Sequence, residues 1–296
     1  MRSYPFVIAV VLVTATCSGC TVNNPIDTAA NDSQLHILVS IPPLYSMTLN
    51  VVGNAATVDY LLPPGAEPHD YALSPNDLAK INQADIIIIN GLGFEQFLED
   101  VLTEAKATGS QVIIASDGIE LLDSEPGYDP HLWLSVANGI LETKNISAAL
   151  QYYDPEQAEV YAKNTSEYVS RLQTLHDTAT TNLNSVSHKQ FIALHPAWVY
   201  FANAYDLEQV AVIEEITGQE PSAQDLVKLL AAIETYDIPA LFTEPQIPDR
   251  IIQSLSQDTG LLIYSIDPEG TSVDFSADLY ENLMRQNIDT FVQALR

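Results

Sequence analysis

A chain of 296 residues with 47% hydrophobic content can bury a sizeable core, and its length suggests about two domains rather than disorder. Its 39 acidic and 11 basic residues give a formal charge of -28, which repels nucleic-acid phosphates and anionic surfaces and favours cations as ligands. Nucleic acid is therefore excluded as a partner.

Residues 1–20 read as an export signal rather than as part of the fold. Arg2 gives a basic start, Phe6 to Thr16 is apolar but too short to span a bilayer, and Ser18-Gly19 precedes Cys20. The pattern makes 1–20 a lipoprotein-type signal peptide with Cys20 as the lipidation site, although Cys17 stands where a lipobox usually has leucine. Cleavage would leave Cys20 as the only cysteine, so no disulfide is expected. Residues 21–34 are polar and read as a flexible tether.

From there the pattern alternates between strand and helix. His36 to Ile41 and Ala56 to Leu62 are β-rich, and the second feeds Pro63-Pro64-Gly65-Ala66-Glu67-Pro68-His69-Asp70. Those prolines stiffen the backbone that presents His69. Ser74-Pro75 opens a helix, Ala84 to Asn90 is a continuous apolar strand, Phe94 to Ala105 is helical, and Gln111 to Ala115 is the next strand. An acidic loop then leads to Asp129-Pro130-His131. From Asp154 to about Val186, apolar residues recur every three or four positions, which predicts one long helix capped by Asp154. A second alternation follows, with strands Gln190 to Leu194, Gln209 to Ile213, Ala240 to Thr243 and Leu261 to Ile266. Helices are expected from Pro196, Pro221, Pro248 and Ala277. The expected fold class is α/β: two lobes with mainly parallel sheets, 35–153 and 188–296, joined by a linking helix over 154–187.

Three histidines and an aspartate each fall in a loop beside a proline: His69, His131, His195-Pro196 and Asp267-Pro268. Singly, each passes for an ordinary turn residue. Together, two per lobe, they suit a divalent metal, since neutral imidazoles and one carboxylate make a four-coordinate site of the kind zinc takes. Asp70, Asp129, Glu67 and Glu244 are candidates to accept the second ring N–H of a ligating histidine, and the sequence leaves open which of them do so. His176 and His188 are assigned to structure or solvent. No HExxH, P-loop, GxGxxG or GxSxG pattern is present.

The motifs PPGAEPHDYALSP, QADIIIINGLGFEQFL, DPHLW, LHPAWVYFANAYDL, ITGQEPSAQDL, LFTEPQ and YSIDPEG resemble, at their joint spacing, the zinc and manganese group of extracytoplasmic solute-binding proteins that feed metal ABC transporters. The resemblance runs from about Ile37 to Leu295. It implies that His69, His131, His195 and Asp267 clasp one metal between the lobes. It further implies a carrier without turnover, an ABC permease as partner, a monomer, and a place in the periplasm or on the outer face of the cell membrane through a lipid on Cys20. Histidine at position 195 points to zinc, because manganese-type members tend to carry glutamate there. The segment from Ser116 to Tyr128 lacks the histidine-rich loop of many zinc members. Manganese carriage with the same role is the first alternative. A zinc-dependent hydrolase, with Asp267 orienting water, is the second.

Overall fold

The computed structural model describes residues 34–63, 66, 68, 71–122, 127–213, 222–245, 250–271 and 274–296. The signal peptide, most of the tether, and His69 with Glu67 and Asp70 lie outside the described residues. Residues Gln34–Arg296 form one compact unit.

The first lobe is built on β1 (His36–Val39), β2 (Thr57–Tyr60), β3 (Ile86–Ile89) and β4 (Gln111–Ile114), all parallel, in the order β2-β1-β3-β4. The second repeats that order with β5 (Gln190–Ala193), β6 (Glu208–Val212), β7 (Ala240–Thr243) and β8 (Leu262–Ser265), as β6-β5-β7-β8. The strand order reverses between β1 and β3 in one sheet and between β5 and β7 in the other. Open α/β sheets hold ligands just beyond the carboxyl ends of such strands. Here those ends carry Asn90 in the first lobe, and His195 and Glu244 in the second.

The central strands are buried on both faces, as their unbroken apolar runs predict. In β3, Ile86 and Ile88 join the main core while Ile87 and Ile89 face a second cluster. In β5, Phe191 and Ala193 join the main core, whereas Ile192 packs with Leu229 of α7 (Ala223–Tyr236) and Ile252 of α8 (Arg250–Thr259). That main core runs through both lobes. It includes Tyr161, Tyr168, Leu172, Leu175, Ala179 and Leu183 of the long helix α5 (Ala158–Asn184), and Phe291 of α9 (Leu279–Ala294).

Helix starts follow local chemistry. Ser74 forms a capping box with Asp77 at the start of α2 (Pro75–Gln83), and Ser222 does the same with Asp225 at α7. The long helix corrects one expectation. Asp154 does not cap it; its carboxylate accepts the Tyr161 hydroxyl at 2.6 Å, and a 3-10 turn over Pro155–Gln157 precedes the first α turn. At about 1.5 Å per residue, its 27 residues extend about 40 Å.

Two helices escape the pattern reading. Pro42-Pro43, which reads as a strand stop, opens α1 (Pro42–Val52), since proline suits the first helical turn. Helix α4 (Val136–Tyr153) buries its face with Gly139, Glu142, Thr143 and Ser147 among its apolar residues, so no clean apolar stripe marks it. The remaining helices are α3 (Glu99–Thr108) and α6 (Val199–Ala204).

Candidate metal centre

His131 follows β4 through a loop that ends in the 3-10 turn Leu132–Leu134. Asp129, almost fully buried, aims Oδ1 at it from both sides: the carboxylate accepts the His131 amide at 2.7 Å and lies 3.1 Å from Nδ1. The preceding carbonyl, of Pro130, accepts Nδ2 of Asn90 at 2.9 Å. Asn90 is held in turn by Glu95, whose Oε1 accepts the Asn90 amide and the Ser40 hydroxyl, each at 2.7 Å, and whose Oε2 accepts the Gly91 amide at 3.0 Å. Burial pushes the Glu95 carboxyl up, against the pull of those hydrogen bonds.

The turn between Asn90 and Glu95 has positive φ at Gly91 (91°), Leu92 (57°) and Gly93 (76°). A Cβ at Gly91 would stand 2.7 Å from Cγ2 of Ile114, so only glycine fits there.

His195 lies two residues beyond the end of β5 and is 6% exposed. Its Nδ1 stands 2.6 Å from Oε1 of Glu244, which is 2% exposed and follows β7 directly. The indole N–H of Trp198 points to the same oxygen at 3.5 Å. In both histidines a carboxylate therefore faces Nδ1. A proton held there puts the ring lone pair on Nε2, the form in which imidazole binds a metal. The two rings come from different lobes, and their centroids are 5.5 Å apart.

Asp267 follows β8 and is 5% exposed. Its Oδ1 accepts the amides of Glu269 and Gly270 at 3.0 and 2.9 Å, and Oδ2 accepts the Thr271 hydroxyl at 3.3 Å. Asn287 of α9 binds its backbone on both sides, donating Nδ2 to the carbonyl at 2.7 Å and accepting the amide on Oδ1 at 2.9 Å.

His131 and His195 are thus brought together, and Asp267 is fixed at the end of β8. His69 lies outside the described residues. Among the described residues, no group of three or more histidine, cysteine, aspartate or glutamate side chains is set to hold a metal ion. Of the four candidates to orient a histidine, Asp129 and Glu244 do so, while Asp70 and Glu67 lie outside the described residues. Asn90 and Glu95 fall within the motif QADIIIINGLGFEQFL, but the sequence gives neither a role, and Asn287, a lone polar residue inside α9, carries no sequence signal. Glu269, buried in the Asp267 loop, was not singled out by the sequence either.

The other histidines stand apart. His36 opens β1, at the far end of the strand from the ligand loops, with Nε2 2.9 Å from Asp59. His176 lies 3.5 Å from the Tyr205 hydroxyl, in line with a structural role.

Residues 37–294 match the family model described as zinc-uptake complex component A, periplasmic. The chain belongs to this family. Among its members, a high-affinity zinc uptake system protein ZnuA of Bacillus subtilis (strain 168) is 29% identical over 98% of this chain and 96% of its own. A manganese ABC transporter substrate-binding lipoprotein PsaA of Streptococcus mitis is also 29% identical, over 90% of this chain and 91% of its own. Among solved structures, the solute-binding protein FpvC of Pseudomonas aeruginosa in complex with Mn2+ is similar at 31% identity and a TM-score of 0.80, covering 88% of this chain and 98% of that one. The zinc-uptake component A family is thus one of solute-binding proteins, and its relatives include both zinc and manganese binders. Among the described residues, no helix is long and apolar enough to cross a membrane.

Proposed function

We propose that this chain captures one divalent transition metal outside the cytoplasmic membrane and delivers it to an ABC-type permease. The ligands are His69, His131, His195 and Asp267, and the ion is zinc. The observation that carries this reading is the pair of adjacent imidazoles, His131 and His195, one from each lobe and each with a buried carboxylate at Nδ1. Three imidazoles and one carboxylate match the ligand softness and coordination number of zinc better than those of manganese, which favours oxygen-rich octahedral sites. The protein binds and releases without turnover, tethered through a lipid on Cys20 and the polar stretch that follows it. Manganese carriage is the second reading, favoured by the manganese-binding relatives. None of the proteins compared above is named as a hydrolase.

The test is a competition titration of the metal-stripped protein with zinc and manganese, repeated on His69→Ala and His195→Ala. One zinc per chain, bound far more tightly than manganese and much weakened in both variants, is the expected result. Unchanged stoichiometry and affinity in His69→Ala would sink the four-ligand site. Tighter manganese than zinc binding would transfer the role to manganese.

A further inference from the structure

Trp133 lies two residues beyond His131 and is fully buried. Its ring stands 5.3 Å from the His131 ring and 5.1 Å from that of Phe94. Its indole N–H crosses to the other lobe and donates to the carbonyl of Pro268, the residue after Asp267, at 2.7 Å. Its own carbonyl accepts the hydroxyl of Tyr280, from α9, at 2.6 Å. One residue therefore touches the imidazole of one lobe and the peptide group adjoining the carboxylate of the other.

The surroundings fix this contact. A Cβ at Gly139 would overlap the Tyr280 hydroxyl, so glycine in α4 is what lets that hydroxyl reach Trp133. The Tyr280 amide donates to Oγ of Ser46 at 3.1 Å, and the same Oγ donates to the carbonyl of Ala277 at 2.7 Å. Asn50 adds a donor to the Ala277 carbonyl at 2.6 Å. The chain from Asp267 to Tyr280 is thus pinned to the first lobe at Pro268, Ala277 and Tyr280. Filling space would need only an aromatic ring. A buried indole N–H with a carbonyl partner resists separation, because parting them strands a polar group away from water.

We propose that Trp133 is a positioning residue that sets the spacing between His131 and Asp267, and through it the lifetime of the bound metal. This rests on the ligand reading above. Metal affinity depends on donor positions within a few tenths of an ångström, so a carboxylate released from this tie drifts out of the range in which it binds well.

The experiment measures zinc release from the full chain into a chelator by stopped flow, together with the visible absorption of the cobalt-loaded protein. Trp133→Phe keeps a ring and loses the donor; the expected result is release faster by about 5- to 10-fold, the effect of one hydrogen bond. A shifted cobalt band should accompany it. In an Asp267→Ala background, Trp133→Phe should add nothing. Unchanged release and an unchanged band, or the same fold-change in both backgrounds, would overturn the proposal. If Asp267→Ala alone left zinc affinity intact, the ligand reading would fail first and the Trp133 role with it. Should Trp133→Phe not fold, Tyr280→Phe carries the same test: faster release supports the tie, and unchanged release overturns it.

Discussion

Asn287 holds Asp267 by both of its backbone groups, donating to the carbonyl at 2.7 Å and accepting from the amide at 2.9 Å. A side-chain amide used in this way acts like a strand neighbour for a single residue. It fixes the backbone that carries the carboxylate, two residues beyond the last strand. Asn287→Leu should weaken zinc binding by roughly 10- to 100-fold, as for other groups that orient a metal ligand, and should cost stability by about 1–3 kcal/mol for the two stranded backbone groups. Calorimetric titration and thermal unfolding of the variant check both. Full affinity with lowered stability would confine Asn287 to the fold.

Glu244 and Asp129 perform parallel tasks, each facing Nδ1 of one histidine from a position nearly closed to water. Glu244→Gln keeps the shape but removes the charge that makes the imidazole more basic. A loss of about 10-fold in zinc affinity is expected, with Asp129→Asn similar. Equal affinity in both variants would show that the carboxylates serve only packing.

Zinc capture by imidazole requires neutral rings. On the proposed ligand set, affinity should therefore fall as the pH is lowered from 7 to 5, and more steeply than one proton would give, since three histidines would each have to be neutral to bind. Zinc titrations between pH 7 and 5 check this. A flat profile would count against histidine ligation.

Glu142 offers a test on stability rather than on binding. It is fully buried in α4 and has no hydrogen-bond partner among the described residues. Burial pushes its carboxyl from 4.5 up to about 8, and the neighbouring Glu95 adds to the shift. A raised carboxyl leaves the folded chain holding a proton that the unfolded chain has lost between those two values. Stability therefore falls as pH rises through that window and levels off above pH 8, with an upper value of about 5 kcal/mol. Glu142→Gln should match the parent near pH 4.5 and be more stable at pH 8.5 in denaturant titrations. A parent curve as flat as the variant's would show that Glu142 is relieved by some other means.

Strands, and the proline-flanked loops at their ends, were legible because their signals are local. Unbroken runs such as Ile86 to Ile89 mark strands buried on both faces, Ser74 and Ser222 mark helix starts, and proline beside His131, His195 and Asp267 marks stiff loops at element ends. Helix α4 was not legible, because its buried face uses Gly139, Thr143 and Ser147, which carry no apolar signal. The small residue at 139 is explained only by Tyr280, which lies 141 positions further along the chain.

The sequence by itself determined the alternation of elements, the doubled lobe and the residue types offered to a metal, since propensity and periodicity act over a few neighbours. Only the tertiary structure decided that Glu244 serves His195, that Asn287 holds the Asp267 backbone and that Trp133 holds the Pro268 carbonyl. Those pairings join residues up to 135 positions apart, and they depend on how two sheets and a shared core bring strand ends together.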